Sequence, residues 1–173
     1  IGAEIQGVDL SQPVSPAACA TIEAALNERA VLCLRQQHCT APQYIDFARR
    51  FGEVECMFLT HYAHPQHPEI LLVSNIQEEG RPIGHADAGR VWHTDMSYTT
   101  RPPRLTMLYA LEVPHANGTP LGATHFASAA AAYASLPAAL KTRLEGLQAV
   151  HRVAGRRART GTGQHDHALR AQQ

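Results

Sequence analysis

A mainly β domain with flanking helices, an α+β arrangement with antiparallel strands, is the fold class this sequence predicts. Three observations lead there. Helix signals crowd the opening of the chain, strand-like runs fill its middle, and nothing repeats the strand–helix alternation of a doubly wound sheet. A chain of 173 residues, 45% apolar and 17% charged, is globular in composition. At this size it buries roughly 70% of its unfolded surface, enough for one sizeable core. A single domain over 1–173 is the expectation.

The elements follow in order. Ala3–Val8 alternates around Ile5 and reads as a strand, closed by the turn-like Asp9–Pro13. Ser15 offers an N-cap with Pro16 at the first helical position, and Cys19, Ile22 and Leu26 then recur at helical spacing. Ala30–Leu34 suits a short buried strand. Thr40 with Gln43 three residues on is a capping box for a second helix, whose buried face is Tyr44, Phe47, Ala48 and Phe51 before Gly52 ends it. Ile70–Asn75 reads as a strand and Glu78–Gly89 as a loop. Val91–Tyr98 and Arg104–Val113 read as strands around Pro102-Pro103. In the second, Leu105, Met107, Tyr109 and Leu111 share one face while Leu108 and Ala110 make the other apolar, which suits a central strand. Asn117-Gly118 marks a turn, Ala123–Ala127 a strand and Ala129–Leu136 a short helix. Leu140, Leu144 and Leu147 stripe a further helix begun near Pro137. Beyond Val153 the Arg-, Gly- and His-rich tail reads as loop or as a helix without its packing partner.

Fifteen basic and fifteen acidic residues cancel, so no global field favours nucleic acid or an anionic membrane. No apolar run approaches membrane-spanning length, and no leader-like segment opens the chain. Cys19, Cys33, Cys39 and Cys56 lack CxxC pairing and read as reduced thiols of a cytoplasmic protein, mostly small core residues. There is no P-loop or GxGxxG, and Ser74, Ser97 and Ser128 lack the glycine-flanked elbow of a hydrolase nucleophile.

The sharpest chemical feature is Trp92-His93-Thr94-Asp95. On a strand, His93 and Asp95 point to one face, where they form either a hydrogen-bonded pair or two adjacent positions of a metal. One further histidine would complete the 2-His-1-carboxylate face of a non-haem Fe(II) site, with three positions left for cosubstrate and oxygen. Trp92 alternates away and reads as packing. His61, His64 and His67 recur every third residue in a Pro-containing segment that reads as loop, and His165 and His167 sit in the polar tail.

These residues stand in a wider context. Trp92-His93-Thr94-Asp95, Pro102-Pro103, Glu112-Val113-Pro114, Gly122-Ala123-Thr124-His125-Phe126-Ala127 and Ala132-Tyr133 closely resemble the TauD/TfdA (taurine dioxygenase) family of Fe(II)- and 2-oxoglutarate-dependent dioxygenases. Gly2-Ala3-Glu4-Ile5, Gly7-Val8-Asp9-Leu10 and Phe47-Ala48-Arg49-Arg50-Phe51-Gly52 carry the resemblance towards the start of the chain. It implies a double-stranded β-helix, a distorted jelly-roll, with helices packed outside. It implies that His93 and Asp95 are catalytic iron ligands, that Thr124 meets a carboxylate of 2-oxoglutarate, and that Met96 and Tyr98 face the substrate. The reaction implied is hydroxylation of a small anionic molecule by O2, with release of succinate and CO2.

Three departures refine that expectation. Ala123 stands where the family usually has aspartate before the threonine. Phe58 falls where taurine dioxygenases hold a sulfonate-binding histidine, with His61 three residues later, which implies a more apolar acid than taurine and leaves His61 as the candidate at the substrate mouth. The family's distal histidine and its 2-oxoglutarate-gripping arginine lie beyond the matched stretch. The chain is therefore expected to be the N-terminal portion of a dioxygenase domain, incomplete at its C-terminus. Its open β edge would be apolar or paired with another chain, as in a homo-oligomer. The rival expectation is a non-catalytic remnant that binds metal weakly. A zinc hydrolase is disfavoured because no second metal cluster accompanies the pair.

Overall fold

The computed structural model describes residues 1–56, 59–86 and 88–151, together with the backbone of 168–170. They form two compact units: Ile1–Arg90 with Glu112–Ser128, and Val91–Leu111 with Ala129–Gln173.

The first unit opens on β1 (Ala3–Ile5), shorter than the expected Ala3–Val8. The α1 helix (Pro16–Arg29) follows, with the Ser15 side chain accepting from the Ala18 N–H at 3.2 Å and Pro16 at the first helical position. Ala30 closes it in the left-handed region (φ 66°), its N–H donating to the Leu26 carbonyl. The chain then returns as β2 (Leu32–Leu34), paired in parallel with β1 through Ala3–Leu32, Glu4–Cys33 and Ile5–Leu34. A parallel pair needs a long crossover, and α1 supplies it while packing on both strands. The Gln37 side chain stitches the ends, accepting from Leu10 N–H and donating to the Val8 and Arg35 carbonyls at 2.9 Å each.

The capping box at Thr40 and Gln43 starts α2 (Ala41–Ala48), as expected. Gln43 Nε2 also donates to the Ser11 carbonyl at 2.7 Å, holding the helix start against the β1–α1 turn. The helix ends at Arg49 rather than Gly52, and Phe51 packs edge-on against Phe47, centroids 5.2 Å apart. Among the described residues the buried hydrophobic side chains are Leu10, Cys19, Ile22, Ile45 and Phe47, all drawn from this opening stretch. Burying such side chains is worth about 1.5–3 kcal/mol each.

Further along, β3 (Ala63–His64) and β4 (His67–Leu71) form an antiparallel hairpin. His64 and His67 therefore belong to strands rather than to the expected loop, and the expected strand Ile70–Asn75 begins earlier and stops at Leu71. Arg49 bridges to Glu69 on β4 at 3.3 Å, where α2 packs. Within the expected loop 78–89 lies another hairpin, β5 (Gln77–Glu78) with β6 (Arg81–Pro82), turned by Glu79 and Gly80 at positive φ. Gly84 follows, and there the backbone comes so close that a Cβ would sit 2.8 Å from the Leu72 carbonyl and the Ser74 nitrogen. The turn expected at Asn117-Gly118 closes β7 (His115–Ala116) on β8 (Thr119–Pro120), both central residues at positive φ.

The second unit holds α3 (Ala129–Ala134) and α4 (Ala138–Leu144), both expected. Leu147 lies past the end of α4 and is exposed. Gln148–Val150 forms β9, antiparallel to β10 (Ala168–Arg170), so this part of the tail is strand rather than loop or helix. His165 and His167 lie outside the described residues.

Three expected strands do not form. Val91–Tyr98 ends in a turn, and Arg104–Val113 and Ala123–Ala127 pair with no strand among the described residues. Residues 103–110 still alternate half-buried and exposed, with Leu105, Met107 and Tyr109 on the half-buried side. The period-two pattern survives; the ladder that would make it a strand needs a partner. Trp92, expected to pack, is 72% exposed, and Cys33 and Cys56 are exposed rather than core. Among the described residues no helix is long and apolar enough to cross a membrane.

Candidate metal centre

His93 and Asp95 come together without a strand. The backbone from Val91 to Asp95 is irregular, and Met96, in the left-handed region at φ 49°, turns the chain immediately after Asp95. Thr99 staples that turn, its N–H and its hydroxyl both donating to the Met96 carbonyl at 2.9 and 2.8 Å.

The His93 tautomer follows from its partners. Nδ1 lies 2.7 Å from the Val91 carbonyl, which can only accept, so Nδ1 carries the proton. Nε2 lies 3.0 Å from Asp95 Oδ1. When the imidazole is neutral, a nitrogen lone pair and a carboxylate oxygen face one another with no proton between them. That arrangement is stabilised either by protonating His93 or by placing a cation against both atoms. The Val91 carbonyl, and after it the Asp95 charge, hold the His93 pKa above the ordinary histidine value. Both side chains are about half exposed, so the centre is open to solutes.

A third side chain joins them that the sequence did not single out. Thr106 Oγ1 donates to Asp95 Oδ2 at 2.8 Å. Its signal was available: Thr106 is the one hydroxyl on the face of the 104–110 stretch that Arg104, Leu108 and Ala110 share. Among the described residues no group of three His, Cys, Asp or Glu forms, so the centre offers two protein donors there. Two adjacent nitrogen and oxygen donors, one with its tautomer fixed from behind, fit a divalent first-row metal that keeps open positions.

The other expected site residues are placed as follows. Met96 and Tyr98 are half-buried in the turn that follows Asp95. Thr124 and His61 belong to the first unit. Thr124 is exposed, on a segment that pairs with no strand among the described residues instead of the neighbouring strand expected for it. His61, also exposed, stacks on Tyr62 with centroids 4.1 Å apart, and Tyr62 in turn meets the His85 ring edge-on at 5.3 Å. Phe58 lies outside the described residues.

Comparison with known proteins completes the picture. The sequence profile of the "Taurine catabolism dioxygenase TauD, TfdA family" matches residues 1–172. Pentalenolactone F synthase of Streptomyces avermitilis is 40% identical over 154 residues, 87% of this chain and 49% of that protein. The alpha-ketoglutarate-dependent 2,4-dichlorophenoxyacetate dioxygenase of Cupriavidus pinatubonensis is 32% identical over 159 residues, 86% of this chain and 54% of that one. Among solved structures, AAD-2 in complex with Mn(II) and N-oxalylglycine superposes with a TM-score of 0.62 at 26% identity, over 87% of this chain and 52% of that one. The chain thus spans about half the length of the curated relatives it matches. With a profile match along almost the whole chain and solved relatives of the same mixed helix-and-strand build, this chain belongs to the TauD/TfdA family of alpha-ketoglutarate-dependent dioxygenases.

Proposed function

We propose that this protein serves an Fe(II)- and 2-oxoglutarate-dependent dioxygenase that hydroxylates a small anionic organic substrate and releases succinate and CO2. The observation that carries this reading is the facing pair, His93 Nε2 and Asp95 Oδ1 at 3.0 Å with Nδ1 anchored on a backbone carbonyl. His93 and Asp95 would hold the metal. Bound there with 2-oxoglutarate, iron supplies the activation of O2 and the oxidation of an otherwise inert C–H bond.

The chain's own residues do the rest. The Val91 carbonyl keeps the Nδ1 proton in place, so Nε2 stays available as a donor. Asp95 contributes a negative charge that a second neutral imidazole would not. Thr124 would donate its hydroxyl to a carboxylate of 2-oxoglutarate, and the distorted jelly-roll is the frame in which it would reach it. Met96 and Tyr98 would line the substrate side, with His61 at its mouth. The third ligand, and a cation for the far carboxylate of 2-oxoglutarate, would come from outside the described residues. Phe58 in place of a sulfonate-binding histidine favours an aryl or alkyl acid over taurine. The relatives' names support that class, since one of them acts on 2,4-dichlorophenoxyacetate. The four free cysteines suit a cytoplasmic setting.

A second reading, a non-catalytic metal-binding remnant, is favoured by one observation: the described residues bring two donors together, not three. Anaerobic titration with Fe(II) and then 2-oxoglutarate, followed by visible charge-transfer absorption and by succinate release on admitting O2, separates the two. Absorption with substrate-stimulated succinate supports the oxygenase. Metal binding without either supports the remnant, and absence of metal binding overturns both.

A further inference from the structure

The exposed face of the 104–110 stretch carries Arg104, Thr106, Leu108 and Ala110, with Leu108 68% exposed, and its one hydroxyl reaches across a separation of eleven residues to a carboxylate oxygen. An ionised carboxylate only accepts, so Thr106 donates, and at 2.8 Å the bond has the length of a strong hydroxyl-to-oxygen contact. The two oxygens of Asp95 are thereby given different work. Oδ2 is engaged by Thr106, and Oδ1 faces His93 Nε2.

We propose that Thr106 is a positioning residue for the metal-ligating carboxylate, holding Asp95 in monodentate presentation with Oδ1 towards the metal. The inference rests on the metal reading above and deepens it. A carboxylate free on both oxygens rotates about its last torsion and either swings to solvent or binds through both oxygens. Chelation through both would occupy a coordination position that an open 2-His-1-carboxylate centre reserves for cosubstrate and oxygen. A hydroxyl on Oδ2 removes both alternatives. It also ties the turn that carries Asp95 to the stretch that carries Thr106, across the Pro102-Pro103 loop. Outer partners of metal ligands typically matter by about 10- to 100-fold in metal affinity, and Thr106 falls in that range here.

The test uses the 173-residue chain and Mn(II) as probe, with free Mn(II) followed by EPR and the number of metal-bound waters by proton relaxation. Parent, Thr106→Val, Thr106→Ser and His93→Ala are compared, with far-UV ellipticity and a urea midpoint for each. The expected result is that Thr106→Val weakens Mn(II) binding about 10- to 100-fold and lowers the bound-water count as Asp95 becomes bidentate. Thr106→Ser, which keeps the hydroxyl, stays within about threefold of the parent, and His93→Ala loses binding. If Thr106→Val binds like the parent while His93→Ala does not, the positioning role is overturned and the metal reading stands. If Thr106→Ser is as weak as Thr106→Val, the hydroxyl is not the cause and the role is likewise overturned. If His93→Ala binds like the parent, or the parent does not bind, the metal reading fails and this inference with it. Should Thr106→Val not fold, the serine variant and Thr106→Ala decide in its place.

Discussion

The opening stretch, residues 1–51, and the segment 91–111 contrast sharply in how they are held. Among the described residues the first supplies every buried hydrophobic side chain: Leu10, Cys19, Ile22, Ile45 and Phe47. Its helices carry their own start signals, and its two strands, Ala3–Ile5 and Leu32–Leu34, pair with each other across α1. The second has the more strand-like sequence and no strand. Trp92, Leu108 and Leu111 are 72%, 68% and 81% exposed, yet His93, Asp95 and Thr106 hold a defined hydrogen-bonded constellation. The contrast teaches that caps and short crossovers organise a segment from within. A β pattern organises nothing until another strand satisfies its N–H and C=O groups.

The contrast can be broken or sharpened by experiment. The largest effect is expected from Asp95→Ala, which should abolish Mn(II) binding while leaving the urea midpoint of the helical signal unchanged, because a half-exposed carboxylate holds no core together. A lowered midpoint would mean that 91–111 also carries stability. Next comes a paired substitution. Ile45→Ala should cost about 2–5 kcal/mol in urea unfolding, while Leu111→Ala stays within about 0.5 kcal/mol, since one empties a packed site and the other trims an exposed side chain. Equal costs would erase the distinction between the regions.

A smaller effect tests local self-sufficiency. Thr40→Ala removes the acceptor of the capping box at α2 and should cost about 1 kcal/mol, with partial recovery in Thr40→Ser. A null result would mean that packing alone holds that helix. The smallest effect is a pH dependence. Burial first, and then the Cys39 thiolate charge, raise the Tyr44 phenol from 10 to about 12. The folded chain then keeps a proton that the unfolded chain gives up. The stability this contributes is present in full below about pH 10 and is lost as pH rises through about 12. Alkaline titration of tyrosinate absorbance, native against urea-unfolded and each compared with Tyr44→Phe, should show one phenol delayed in the native chain. No delayed phenol would mean that α2 packs more loosely than the rest of 1–51 requires.

What was legible in the sequence depended on how local its cause was. Ser15 with Pro16 and Thr40 with Gln43 place helix starts through bonds that span three residues. Asn117-Gly118 announces a hairpin because positive φ at two successive positions demands such residues. The His93–Asp95 pair was legible too, though for a different reason from its cause. Strand periodicity was expected to align the two side chains, whereas the Val91 carbonyl and the turn at Met96 do so.

Capping and turn chemistry by themselves determined the starts of the two opening helices and the hairpin turn at Asn117-Gly118. Each of those depends on interactions only a few residues apart. Tertiary structure alone decided that Arg104–Val113 and Ala123–Ala127 pair with no strand among the described residues, that Ile45 is buried while Tyr44 is half-buried, and that Thr106 meets Asp95. Ladder partners, burial and cross-segment hydrogen bonds are properties of what lies beside a residue in space, and a side-chain pattern of period two or 3.6 says which way a residue points but not what it will find there.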